Sequence, residues 1–125
     1  MSKILIIDDN EEILNTLEQL FQFYDFEVRT AINGKEGLEV LKAYLPDLII
    51  LDALMPVMNG FETIKELKKT EKFKDISVIF LSANYTDDDH RVVGLEMGAD
   101  DYILKPFNTK ELITKVKSLL QRKYL

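Results

Sequence analysis

The chain has 125 residues, 46% of them hydrophobic, which is one domain's worth of chain and enough to bury a core. Its 16 basic and 22 acidic residues leave a net charge of −6, which argues against a surface that neutralises many phosphates, so direct nucleic-acid binding by this domain is not expected. No apolar run reaches the ~18 residues of a membrane span; the run Ile4 to Ile7 is too short for a signal peptide; and the lack of cysteine excludes disulfides and thiolate metal sites and fits a reducing cytoplasm.

Five apolar runs alternate with five helical patterns along the chain. The first run is Ile4–Ile7. Ile13, Leu14, Leu17, Leu20, Phe21 and Tyr24 then recur at helical spacing behind a cap at Asp9 or Asn10. The second run is Phe26–Arg29, followed by a helix predicted from Gly34 to Tyr44, which Pro46 stops. Leu48–Leu51 ends in Asp52, and Phe61, Ile64 and Leu67 mark the third helix. Val78–Leu81 is followed by Ser82 and by a helix from about Thr86 to Met97, whose Asp87, Asp88 and Asp89 suit a positive helix start. Tyr102–Leu104 precedes Lys105-Pro106. Leu112, Ile113, Val116, Leu119 and Leu120 mark a last helix, capped by Asn108 or Thr109. Runs one, three and four are apolar nearly throughout, as strands covered on both faces are.

No linker or internal repeat divides these elements, so residues 1–125 read as a single domain. Strict alternation of strand and helix implies a parallel sheet with right-handed crossovers. Five of each suit the α/β class, as a flavodoxin-like doubly wound sheet with five helices. The strand order 2-1-3-4-5 comes from that fold class and is not deduced from spacing. Such sheets carry their site beyond the carboxyl ends of the strands.

The residues at the strand ends are therefore informative. Asp8 and Asp9 come after the first strand, Asp52 ends the third, Ser82 comes after the fourth and Lys105 after the fifth. Clustered carboxylates repel one another, and a hard divalent cation, Mg²⁺ or Mn²⁺, relieves the repulsion with oxygen ligands and water. A carboxylate so held can attack phosphorus and carry it as an aspartyl phosphate, with Lys105 and the Ser82 hydroxyl neutralising the phosphoryl oxygens. Singly, each residue has a plainer reading. Asp8 or Asp9 alone is more often a helix cap than a ligand. Ser82 and Lys105-Pro106 alone are turn residues, and Asp52 with Lys105 alone could be a structural ion pair. Asp52 is the hardest to dismiss, because a carboxylate ending an apolar strand is poorly solvated unless paired. The convergence of all five on strand ends carries the functional reading.

Other chemistry leaves no trace. The five glycines (34, 37, 60, 94 and 98) form neither a dinucleotide fingerprint nor a P-loop, and no Gly-x-Ser-x-Gly is present. His90, the only histidine, sits in the acidic start of helix 4 and reads as a solvated surface residue.

Four segments together carry a resemblance. They are Ile6-Ile7-Asp8-Asp9-Asn10, Leu51-Asp52-Ala53-Leu54-Met55-Pro56-Val57-Met58-Asn59-Gly60, Leu81-Ser82-Ala83, and Gly98-Ala99-Asp100-Asp101-Tyr102-Ile103-Leu104-Lys105-Pro106-Phe107. In that order and spacing the chain resembles, along its whole length, the receiver domain of two-component response regulators. The resemblance implies that Asp52 is the phosphoacceptor. Asp9, Asp52 and the main-chain carbonyl of Leu54 would bind Mg²⁺ directly, with Asp8 acting through water. Ser82 and Lys105 would contact the phosphoryl oxygens, Lys105-Pro106 would be cis, and Tyr102 would be the switch residue that packs inward when Ser82 is drawn to the phosphoryl group. Serine stands at position 82 where threonine is the commoner family residue, and it keeps the hydroxyl. Leu54 and Asn84 fall at positions that tune phosphoryl lifetime, and an apolar Leu54 cannot position an attacking water, which implies slow self-dephosphorylation.

The implied partners are a histidine kinase or histidine phosphotransfer protein, acting in trans, and a downstream effector protein or domain. Homodimerisation on phosphorylation, the cognate kinase, and whether the chain stands alone or is cut from a longer regulator stay open. Three rivals are weaker. An aspartate-nucleophile phosphatase typically carries a second aspartate two positions after the nucleophile, where this chain has Leu54. A module that kept only the fold usually loses a site residue, and none is lost. A flavodoxin needs a phosphate cradle after strand 1, where Asp8 and Asp9 would repel the phosphate.

Overall fold

A computed structural model describes residues 1–82 and 88–122, and of residues 88–91 the backbone alone. Ala83, Asn84, the expected helix start at Thr86 and Asp87, the side chains of Asp88, Asp89 and His90, and residues 123–125 lie outside the described residues.

Strands β1 (Lys3–Ile7), β2 (Glu27–Ala31), β3 (Leu48–Asp52), β4 (Ser77–Ser82) and β5 (Asp101–Leu104) alternate with helices α1 (Glu11–Phe23), α2 (Gly34–Val40), α3 (Gly60–Lys69), α4 (Asp88–Glu96) and α5 (Thr109–Arg122). The strands form one parallel sheet in the order β2-β1-β3-β4-β5, the flavodoxin-like order expected.

Because strand side chains alternate, each strand feeds two cores. Ile4, Ile6, Leu48, Ile50, Ile79, Leu81 and Ile103 pack against Leu14, Leu17 and Phe21 of α1 and the buried stripe of α5. Leu5, Ile7, Ile49, Leu51, Val78, Phe80 and Tyr102 face the other way, toward Ile64 and Leu67 of α3. Each Leu or Ile buried this completely contributes about 1.5–3 kcal/mol. The central strands β3 and β4 are buried from end to end, which is why their sequence shows no polar alternation.

Several boundaries differ from the sequence reading. Phe26 does not open β2. Its amide bonds the Phe21 carbonyl and its ring meets the Phe21 ring edge-on at 5.8 Å, so it closes the turn after α1. β2 instead runs on through Thr30 and Ala31, whose pairing with Ile6 and Ile7 needs no apolar run at a sheet edge. The second helix closes at Val40, because the amides of Lys42 and Ala43 bond carbonyls three residues back and tighten the chain into turns before Pro46. β4 includes Ser82 instead of ending before it.

Caps resolve the open choices. Asn10 Oδ1 accepts from the Ile13 amide at 3.1 Å and Asn108 Oδ1 from the Glu111 amide at 3.1 Å, so neither Asp9 nor Thr109 caps a helix. Asn59 and Glu62 cap α3 reciprocally.

Candidate functional site

The register of the sheet builds the site. Ile7 lies beside Leu51, so the next residues, Asp8 and Asp52, emerge side by side. Asp52 lies beside Leu81, one residue before Ser82, and Ser82 lies beside Leu104, one residue before Lys105. The Lys105 amide donates to the Ser82 carbonyl at 2.7 Å, extending the ladder to the lysine itself. Asp8, Asp9, Asp52, Ser82 and Lys105 thus share one end of the sheet, as the strand-end reading expects.

Asp8 is fully buried, Asp52 is 5% exposed and Asp9 is exposed. One oxygen from each of the three carboxylates lies within 4.8 Å of the others. Lys105 Nζ is 2.7 Å from Asp8 Oδ2 and 3.6 Å from Asp52 Oδ2. The other Asp8 oxygen accepts from the Asn10 amide at 2.9 Å. Asp8 is therefore satisfied by one cation and one amide, and the lysine belongs to Asp8 before it belongs to Asp52.

Asp52 has poorer compensation. Burial pushes its carboxyl up to about 7, and the neighbouring Asp8 charge pushes the same way. Lys105 pulls it back. The Asp9 side chain shares a hydrogen bond that favours a retained proton, and the Leu54 amide donates to the carboxylate and favours the ion. A carboxylate whose ionisation is opposed in this way, packed with two others, is a site short of positive charge. These oxygen donors fit a hard divalent cation.

The segment after β3 is held taut. The Met58 amide bonds the Pro56 carbonyl at 2.8 Å, closing a three-residue turn around Val57, which takes φ +71°. A β-branched residue is strained there. The Gly34 amide bonds the Met58 carbonyl and the Gly60 amide bonds the Ala53 carbonyl, tying the loop to α2 and to the residue that follows β3. Leu54, 48% exposed, borders the acids. The Lys105–Pro106 bond is cis.

Tyr102 points inward. It is 8% exposed, stands in register with Phe80, and its hydroxyl is buried with no hydrogen-bond partner among the described residues. The sequence signalled neither this orphan hydroxyl nor the Asp8–Lys105 pair nor the strained Val57. Pro56 before Val57 was the only local cue to the turn.

The response regulator receiver domain family model matches residues 4–117. The chain belongs to that family. It is 44% identical over 122 residues to the transcriptional regulatory protein CpxR homolog of Haemophilus influenzae, covering 98% of this chain and 52% of that protein. The chain spans about half the length of the curated relatives it matches. A CheY-like receiver domain protein from Methanospirillum hungatei superposes with a TM-score of 0.91 at 31% identity, covering 99% of this chain and 97% of that one. The chemotaxis response regulator CheY4 of Vibrio cholerae does so with a TM-score of 0.88 at 30% identity, covering 95% and 98%. Receiver domains of this family are signalling proteins, and no described helix of this one is long and apolar enough to cross a membrane.

Proposed function

We propose that this receiver takes a phosphoryl group on Asp52 from the phosphohistidine of a kinase or phosphotransfer protein, and reports it through the face formed by α4, β5 and α5. The observation that carries the reading is the buried, undercompensated Asp52 carboxyl between Asp8, Asp9 and Lys105.

Asp9, Asp52 and the Leu54 carbonyl would hold Mg²⁺, or Mn²⁺, with Asp8 acting through water. The bound ion supplies the positive charge that three adjacent carboxylates lack. The chain's own groups do the rest. An Asp52 oxygen attacks phosphorus as the bond to the donor imidazole nitrogen breaks. The Leu54 amide orients that carboxylate. Lys105, already near both acids, meets the phosphoryl oxygens, and the Ser82 hydroxyl donates to them. Movement of Ser82 toward the phosphoryl group favours the inward Tyr102 and changes the adjacent face. A coupling of about 1–3 kcal/mol is enough to redirect a partner.

The domain assists its own modification and reversal and turns over no outside substrate. Partners are an effector protein or domain in a cytoplasmic setting, with homodimerisation on phosphorylation as one output. The test is incubation with Mg²⁺ and a small phosphodonor. An acid-stable, base-labile gain of one phosphoryl mass is expected in the native protein and none in Asp52→Asn. Equal gain in both overturns the assignment.

A further inference from the structure

The ring of Phe80, fully buried in β4, is wedged between glycines of two different helices. A Cβ on Gly60, the first residue of α3, would stand 2.7 Å from Phe80 Cε1 and would also strike the main-chain oxygen of Asp52. A Cβ on Gly94, in the last turn of α4, would stand 2.8 Å from Cδ2 and 3.0 Å from Cε2 of the same ring. Gly94 accepts no side chain unless the buried ring moves, and Gly60 accepts none unless the backbone at Asp52 and Ala53 moves as well. The two edges of one phenyl group therefore set the spacing between the start of α3, which abuts the Asp52 backbone, and α4.

Phe80 also sits between Phe61 and Tyr102, with ring centroids 5.4 Å and 6.5 Å away. The row runs from the start of α3 to β5.

Among its described side chains, α4 has little else to seat it. Val92, Val93 and Leu95 are exposed, and Gly94 is the one fully buried residue among its described side chains. α5, by contrast, buries five apolar residues. A helix that rests its backbone on an aromatic ring breaks few contacts when it shifts.

We propose that Phe80 is a positioning residue for signal output: its ring is the spacer through which the Asp52 segment sets the seat of α4. The seat stands on packing alone; the relay of phosphorylation through it rests on the phosphoacceptor reading. Gly60 touches both the Asp52 carbonyl and the ring, so a shift of that segment is passed to the ring. The ring passes it to Gly94 and to Tyr102.

Hydrogen exchange of α4, with α1 as reference, tests both halves. In the unmodified protein, Gly94→Ala speeds α4 exchange at least about tenfold and leaves α1 unchanged. Adding Phe80→Leu, which trims the ring facing the new methyl, restores α4 to within about threefold of native. Losses that simply add overturn the seat. With Mg²⁺ and beryllium fluoride, whose bound state is read by fluorine NMR, α4 exchange changes in the native protein and much less in Phe80→Leu at equal occupancy. An equal response in Phe80→Leu overturns the relay. No bound fluoride signal in the native protein counts against the phosphoacceptor reading and removes the relay with it, while the unmodified arm still decides the seat. Phe80→Met, unbranched and better able to fill an irregular gap, replaces Leu in each arm if circular dichroism shows the Leu variant unfolded.

Discussion

Lys105 pairs more closely with Asp8 than with Asp52: its ammonium nitrogen is 2.7 Å from the first carboxylate and 3.6 Å from the second. The lysine is held ready, and the Asp52 carboxyl is left with the weaker share of its charge.

Replacing Asp8 by Asn removes both the competitor for Lys105 and one of the causes that hold the Asp52 carboxyl near 7. The Asp52 carboxyl moves down by about one unit or more. A pH titration of the Asp52 side-chain carbon by NMR reads this. The same variant binds Mg²⁺ more weakly, because one acid is gone. An Asp52 titration unchanged in Asp8→Asn would show that Lys105 does not transfer.

Replacing Lys105 by Met leaves Asp8 buried and unpaired, which costs about 3–5 kcal/mol. Urea unfolding checks it. The double variant Asp8→Asn, Lys105→Met loses much less than the sum, because the uncompensated charge is gone.

Without metal, the Asp52 pKa is raised from 3.8 to about 7 on folding. For an acid, a raised pKa means that the folded state prefers the protonated form. Its contribution to stability is complete below the unfolded pKa and is lost as pH rises through about 7. The Asp52 carboxyl therefore stabilises metal-free protein less at pH 8 than at pH 5. Asp52→Asn removes this slope and is more stable at pH 8, by on the order of 2 kcal/mol after allowing for solvent screening. Mg²⁺ competes with the same proton, so its affinity falls as pH drops below 7. Calorimetric titrations at pH 6 and pH 8 measure that fall.

Much of the fold and site was legible in the residues alone. Asp8, Asp9, Asp52, Ser82 and Lys105 end strands whose apolar runs are unambiguous, and strand ends in a parallel sheet meet. The residues that failed to show were those whose roles depend on register or backbone angle. Phe26 reads as a strand residue until the Phe21 ring claims it. Thr30 and Ala31 look too polar or small for a strand, yet an edge position needs nothing more. Gly60 and Gly94 carry no signal as glycines; only their shared contact with Phe80 shows why they lack a Cβ.

Val57 adopts φ +71°. Val57→Gly relieves about 1–3 kcal/mol of backbone strain against about 0.4–1 kcal/mol of added unfolded-state entropy. The net gain of about 1 kcal/mol raises the Tm by about 3–5 °C, measured by calorimetry without metal. An unchanged or lower Tm would show that the turn around Val57 is relaxed.

Leu54 stands exposed at the rim of the acids and offers no side-chain hydrogen bond to a water. Leu54→Asn supplies one and shortens the phosphoryl lifetime at least about tenfold. Decay of the phosphorylated protein alone, followed by mass spectrometry, checks it. A native half-life of seconds would contradict the slow decay expected.

The most direct measurement is chemical trapping at the residue itself. The protein is incubated with Mg²⁺ and a small phosphodonor, reduced with borohydride, digested and sequenced by mass spectrometry. Reduction of an aspartyl phosphate leaves homoserine, and the account predicts homoserine at position 52 alone, dependent on Mg²⁺. Homoserine at Asp8 or Asp9, or none at position 52 in protein that has gained a phosphoryl group, would contradict it.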